Sequence, residues 1–160
     1  MSKILIRKAT GDDLDFIAGC LKLMLEDISG YGGDMLSKEI SAWNSHKEKL
    51  KKYLEKPDKI FLIAVDETKK INIGYAESRV ENVYELFAGF KFLHISGIYI
   101  SPEYRKKGIG RHIIKYLQQY SKKNNCRFIE LNVLLNNPAY ELYKEMGFND
   151  FLIKMRKYLS

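Results

Sequence analysis

Cysteine is scarce in this chain: Cys20 and Cys126 are the two present, far apart, with no Cys-x-x-Cys pair and no Cys/His spacing of the kind that holds zinc. A disulfide framework and a zinc site therefore find no support, and each cysteine reads as a small buried apolar residue. No run approaches 18 apolar residues, so no segment reads as a membrane span. The opening Met1-Ser2-Lys3-Ile4-Leu5-Ile6-Arg7-Lys8 alternates charge with apolar side chains and lacks the unbroken apolar stretch of a secretion signal. A cytoplasmic location is the expectation. There is no internal repeat, low-complexity segment or linker. Neither a G-x-x-x-x-G-K-[ST] loop nor a full G-x-G-x-x-G occurs, which disfavours the P-loop and Rossmann modes of nucleotide binding.

What is present is the composition of one globular domain over residues 1–160: 46% hydrophobic, 29% charged, with 11 Tyr and 8 Phe. A chain of this size buries roughly two-thirds of its unfolded surface in a single core. Twenty-seven Lys and Arg against 20 Asp and Glu give a net charge of +7. These basic residues are spread along the chain. The densest stretch, Lys47-Glu48-Lys49-Leu50-Lys51-Lys52, is mixed with an acid and helical in rhythm, so it reads as a solvated helix face and not a nucleic-acid surface. A nucleotide cofactor accounts equally well for the sign of the charge.

Periodicity gives the order of elements. Ile4 to Ile6 is a first strand, and Thr10 is placed to cap a helix running through Leu14, Ile17, Leu21, Met24 and Leu25. Gly30-Tyr31-Gly32-Gly33 breaks that helix, and a second amphipathic one spans Glu39 to Leu54. Ile60 to Val65 is a continuous apolar strand, turned at Asp66-Glu67-Thr68-Lys69-Lys70 into a second from Ile71 to Val80. Phe92 to Ile100 is a strand marked by Gly97, where a bulge or close backbone approach is expected. A helix from Ile109 to Lys123, a strand from Phe128 to Leu134, a short helix from Pro138 to Met146 and a last strand from Phe151 to Leu159 complete the chain. The order β-α-α-β-β-β-α-β-α-β combines hairpin-linked and helix-linked strands, which implies a mixed sheet covered by helices.

Two motifs carry chemistry. The first, Ile98-Tyr99-Ile100-Ser101-Pro102-Glu103-Tyr104-Arg105-Lys106-Lys107-Gly108-Ile109-Gly110, leaves a strand, turns at a proline and enters a helix. Unpaired N–H groups at a helix start, backed by the positive end of the helix dipole, suit an anion, and the glycines at 108 and 110 keep side chains away from a pyrophosphate. Arg105, Lys106 and Lys107 add charge. The second is Asn136-Asn137-Pro138-Ala139-Tyr140-Glu141-Leu142-Tyr143-Lys144-Glu145-Met146-Gly147-Phe148, whose Asn136 comes 26 residues after Gly110.

Together, an R/Q-x-x-G-x-G/A turn and a strand–N-x-x-A-x-x-x-Y-x-x-x-G-F element resemble the GNAT acetyltransferase family, closely from about Phe92 to Phe148. The resemblance implies an α/β (α+β) fold: a mixed, mostly antiparallel sheet with splayed parallel strands, flanked by helices, as in acyl-CoA N-acyltransferases. It implies acetyl-CoA as cosubstrate, without a metal. Pyrophosphate would lie on Arg105, Lys106, Lys107, Gly108, Ile109 and Gly110 with the Arg111 amide following. Pantetheine would pair with the main chain of Ile98, Tyr99 and Ile100, and Asn136, Ala139 and Tyr143 would complete the cofactor site. The implied reaction is transfer of acetyl to a primary amine of a small molecule or peptide, by direct attack in a ternary complex. A CoA-binding sensor without turnover is the alternative, and dimers are frequent among proteins of this kind.

Amine acetylation needs a neutral nucleophile, a polarised carbonyl and a proton for the leaving thiolate. Backbone N–H groups beside Gly97 are candidates for the second and Tyr143 for the third. His94 stands where many family members carry a glutamate base; Glu77, and Ser96 acting through water, are the alternatives. Glu26, Asp27 and Asp34, near the glycine loop from Gly30, are candidates to attract a cationic acceptor. The sequence leaves open a small amine, an antibiotic-like polyamine, a free amino acid or a protein N-terminus.

Overall fold

A computed structural model describes residues 3–30, 43–83, 89–155, 157 and 159, with the side chains of 43–47 set aside. The Tyr31–Asp34 part of the glycine loop and the expected start of the second helix at Glu39 lie outside the described residues. The elements are β1 (Ile4–Lys8), α1 (Leu14–Gly30), α2 (Trp43–Leu54), β2 (Lys59–Asp66), β3 (Ile71–Asn82), β4 (Lys91–Ile100), α3 (Ile109–Lys123), β5 (Cys126–Leu131) and α4 (Ala139–Glu145). One five-stranded sheet has the order β1-β2-β3-β4-β5, antiparallel throughout except for the parallel pair β4–β5. No helix among the described residues is long and apolar enough to cross a membrane.

Both faces of the sheet are covered, which explains why β2 is apolar without alternation. Ile60, Leu62, Ala64, Ile73, Leu93 and Ile95 face the buried stripe Ile109, Ile113 and Leu117 of α3. On the opposite face, Phe61, Ile63, Tyr75 and Tyr99 pack with Ile17 and Cys20 of α1 and Leu50 of α2. Burial pushes the Cys20 thiol up to about 12, which fits the apolar role expected for it.

Thr10 stands at the N-cap of the 3-10 turn Gly11–Asp13 that leads into α1, and Asp13 completes its capping box. The buried Asp13 carboxylate accepts hydrogen bonds from the Thr10 amide at 2.8 Å, from Asn72 at 3.0 Å, and from both guanidinium nitrogens of Arg7 at 2.7 and 2.8 Å. It thereby joins β1, the entry to α1 and β3 at one point.

The last expected strand is the main difference from the pattern. Residues 151–155 pair with no strand, and β5 ends at Leu131, short of Leu134. Alternation gives a segment the tendency to be a strand, but a strand exists only where an edge receives it.

Arg7 holds the Asp13 carboxyl down to about 2, from an ordinary value near 4, chiefly through its hydrogen bonds. Because the folded value is depressed, the contribution is present above pH ~4 and is lost as pH falls towards ~2. Asp13→Asn should cost about 2 kcal/mol at neutral pH and remove that part of the acid dependence, measured by urea unfolding at stepped pH. Equal acid sensitivity of the two proteins would refute it.

Candidate functional site

The site begins where two parallel strands part. β4 and β5 pair at Lys91–Cys126, Leu93–Ile129, His94–Glu130 and Ile95–Leu131, and no further. From Ser96 to Ile100, β4 continues with β3 alone as its partner. Glu77 of β3 pairs with Gly97 and Ser78 with Ile95, so Ser96 is the extra residue of a bulge. A Cβ on Gly97 would lie 2.9 Å from the Met24 sulfur, so glycine here lets α1 sit against the bulged strand.

The turn after β4 is fastened from three directions. Tyr104, buried in the 3-10 turn Pro102–Tyr104, donates its hydroxyl hydrogen to Asp66 at 3.0 Å, and Asp66 also accepts the Thr68 and Lys69 amides at 3.0 and 3.2 Å. The β2–β3 hairpin turn thus anchors the loop. Arg105 donates to the Ile100 carbonyl at 2.9 Å and to Asp27 of α1 at 2.6 Å, with its guanidinium over the Tyr99 ring. Its side chain is therefore committed to α1 and β4, while Lys106 and Lys107 stay exposed. Lys106 and Gly108 are both left-handed, at φ 59° and 80°, just ahead of α3, a backbone pattern of the kind that forms anion-binding concavities.

The two glycines of the turn differ in their physical reason. Gly108, at the N-cap of α3, needs its positive φ. Gly110 has ordinary helical backbone, but a Cβ on it would lie 3.0 Å from Leu142, so it sets how closely α4 approaches α3. Arg111 strengthens the same contact through an ion pair with Glu145.

Asn136 is exposed and bonds to none of the described residues, because its neighbour Asn137 performs the capping: the Asn137 side-chain oxygen accepts the Ala139 amide at 2.9 Å. Tyr143 is half-buried on α4, edge-on to Phe148 at 5.8 Å, and burial raises its phenol above the usual range. Ile98 and Ile100 pack towards α3 and Tyr99 towards α1, so their main chain is what the parted edge offers. The Ile109 side chain is buried beneath the helix start.

The proposed proton acceptors are already partnered. His94 Nδ1 lies 3.3 Å from Glu130, back in the paired part of β4. Glu77 stands beside the bulge, its carboxylate bonded to Lys59 Nζ at 2.9 Å and to the Tyr75 hydroxyl at 2.9 Å. Lys59 in turn lies over the Tyr53 ring at 4.0 Å. Sequence reasoning passed over Lys59, Tyr53 and Tyr75, although the i, i+2 spacing of Tyr75 and Glu77 on a strand would have put them on one face. Of the acids considered for an acceptor, Asp27 is bound to Arg105, Glu26 is exposed on α1, and Asp34 lies outside the described residues.

This arrangement of split strands, left-handed basic turn and closing helix falls within a stretch, residues 32–148, that matches the family described as the acetyltransferase (GNAT) family. The chain belongs to the GNAT family. It is 36% identical to the thialysine N-epsilon-acetyltransferase of Sus scrofa over 69 residues, 42% of this chain and 40% of that protein. The match thus spans about two-fifths of that relative's length. In three dimensions it resembles a mutant of the BH1408 protein from Bacillus halodurans, with TM-score 0.84, 22% identity, and 98% and 99% of the two chains covered. It also resembles the aminoglycoside N-acetyltransferase AAC(6')-Iy in complex with CoA, with TM-score 0.73, 18% identity, and 99% and 97% coverage. These two likenesses are likenesses of fold.

In GNAT terms Tyr104 is a fastening for the turn. Tyr104→Phe removes one O–H donor from a buried carboxylate and should lower stability by about 1–2 kcal/mol, read from chemical unfolding. An unchanged unfolding midpoint would show that the Tyr104–Asp66 bond does not hold the loop.

Proposed function

We propose that the protein is an acetyl-CoA-dependent N-acetyltransferase that modifies a primary amine of a small molecule or peptide by direct attack in a ternary complex. The observation that carries this reading is the stretch of β4 from Ser96 to Ile100 that has lost its β5 partner and keeps β3 alone, and that runs into the turn holding left-handed Lys106 and Gly108. An extended pantetheine arm fits an unpaired strand edge, and a pyrophosphate fits turned amides at a helix start. The main chain of Ile98, Tyr99 and Ile100 would take the arm. The amides from Lys107 to Arg111, with the exposed Lys106 and Lys107 ammonium groups, would take the phosphates, and Asn136 and Ala139 would face the arm from the other side.

Acetyl-CoA supplies a thioester, and the chain's own groups do the rest. Main-chain N–H beside the Ser96–Gly97 bulge would polarise the carbonyl. Tyr143, kept protonated by burial, would give its proton to the departing sulfur. Glu77 stands nearer the bulge in register than His94, so it takes the acceptor's proton in this reading, with the Lys59 ammonium and Tyr75 hydroxyl orienting its carboxylate. The alternative, CoA binding without turnover, draws on the prior engagement of both Glu77 and His94. Release of free thiol with a panel of amines separates the two.

Acetyl-CoA at a hundred times its dissociation constant should stabilise the protein by about 2.7 kcal/mol. Gly108→Val forces a branched residue into the left-handed region and should remove most of that thermal shift. A full shift in a folded variant would dismiss the phosphate-turn assignment.

Tyr143→Phe retains the ring against Phe148 but has no proton to give. Its maximal rate should fall roughly a hundredfold while acetyl-CoA binding and melting temperature stay close to wild type. Near-normal turnover, measured where chemistry is rate-limiting, would leave Tyr143 as a packing residue alone.

A further inference from the structure

A primary amine of the chain itself stands in the candidate site. Lys59, at the start of β2, reaches across to β3, where its Nζ lies 2.9 Å from Glu77 Oε1. Tyr75, fully buried, donates its hydroxyl hydrogen to the other carboxylate oxygen at 2.9 Å. An amine, a carboxylate within hydrogen-bond reach of it and a third group fixing that carboxylate make the arrangement of an activated nucleophile. The Tyr53 ring covers the ammonium at 4.0 Å and the Phe61 ring flanks it at 5.9 Å, and 11% of the Lys59 side chain is exposed. Register brings this amine beside the bulge. Phe61 of β2, Glu77 of β3 and Gly97 of β4 lie in one row across the sheet. Adjacent strands are about 4.8 Å apart, so an amine held against a β3 carboxylate is roughly one strand spacing from the β4 main chain that would polarise a thioester carbonyl.

We propose that Lys59 is a self-modification site, its Nζ taking the acetyl group from acetyl-CoA bound to the same chain. This rests on the acetyl-CoA reading above and on Glu77 as base. A lysine must lose a proton before it attacks, and a sheltered ion pair resists the loss of one charge alone. Transfer of that proton from Nζ to Glu77 removes both charges together and leaves neither unpaired. The neutral amine then attacks the thioester carbonyl: the N–C bond forms, the C–S bond breaks, and the second proton given up by nitrogen ends on the departing sulfur as free CoA thiol. The product is a stable amide, so the acetyl group is not passed on. The Lys59 charge is lost, and the Glu77 carboxylate, once its proton has gone to solvent, keeps Tyr75 but no longer its ammonium partner.

The test incubates the full chain with saturating acetyl-CoA and no added amine, and maps acetylated peptides by mass spectrometry over time. One acetyl group per chain should appear on Lys59 before the exposed Lys49 and Lys51 are labelled, at a rate per chain that does not change with protein concentration. Acetic anhydride, which needs no bound cofactor, should label in the opposite order. Glu77→Gln should slow acetylation of Lys59 about a hundredfold. Lys59→Arg, which keeps a cation against Glu77, should gain no early acetyl group while its thermal shift with acetyl-CoA matches wild type. The proposal is overturned if Lys59 stays unmodified, is labelled no sooner than Lys49 and Lys51, reacts faster per chain as protein concentration rises, or reacts equally fast in Glu77→Gln. Should that variant fail to fold, the order and concentration dependence of wild-type labelling decide. Thiol release with a panel of amines from protein whose Lys59 stays unmodified would sink the proposal and leave the acetyltransferase reading standing. Absence of any thermal shift with acetyl-CoA would sink both.

Discussion

Ladder pairing between β4 and β5 stops at Ile95 and Leu131, and most of the site is a consequence of where it stops. The two strands are parallel and joined through α3, which follows the C-terminal end of β4 and leads back to the start of β5, so the parted end of β4 is the end that runs into the turn and α3. The Ser96 bulge increases twist just at that point and turns β4 away from its neighbour. Among the described residues, the parting leaves the β5-facing edge of β4 beyond Ile95 without a ladder partner. The basic turn follows at once in sequence, so its position relative to the opened edge is fixed by covalent connection, and Tyr104, Arg105 and Ser101 restrain it further through Asp66, Asp27 and the Ile73 carbonyl.

The charged pairs around the opening are of unequal depth, and the difference bears on what each can do. Arg105 and Asp27 are both more than a third exposed, and such a pair contributes roughly 0–1 kcal/mol. Lys59 and Glu77 are 11% and 17% exposed, and Tyr75 beneath them is fully buried. Its phenol is pushed well above the usual range by burial and by the Glu77 charge, so it remains a hydrogen-bond donor to the carboxylate at any physiological pH. Breaking a pair as sheltered as Lys59–Glu77 costs far more than breaking Arg105–Asp27. The first pair therefore acts as a fixed part of the floor, and the second as an adjustable tie between α1 and the turn.

Much of this was legible in the sequence. The order of elements, the bulge at Gly97 and the strand–turn–helix unit from Ile98 to Gly110 could all be read, because each has a local signal: a period, a glycine inside a strand pattern, a proline after one. Relations between distant residues were not legible. Nothing in the spacing of Arg7, Asp13 and Asn72 reveals that they meet, and nothing around Lys59 points to Glu77, 18 positions on. Thr10 takes the N-cap position expected of it, but the sequence did not show that Asp13, three residues on, closes the capping box by accepting the Thr10 N–H while also binding Arg7. The final strand shows the same limit from the other side. Its alternation is local and was read, whereas the existence of an edge to receive it depends on the whole assembly.

Gly108 and Gly110 show why a motif can be recognised without being understood. On the page they are two glycines of one turn, and a single account in which both make room for a pyrophosphate covers them equally. In the structure Gly108 is a matter of backbone dihedral, with no atom within 4 Å of where a Cβ would stand, and Gly110 is a matter of distance to Leu142. A larger residue at the first strains the turn. At the second it pushes against Leu142 of α4, the helix that carries Tyr143. In the proposed site α3 would serve twice: its first turn would face the phosphates, and Gly110 on its side sets how closely Leu142 of α4 approaches.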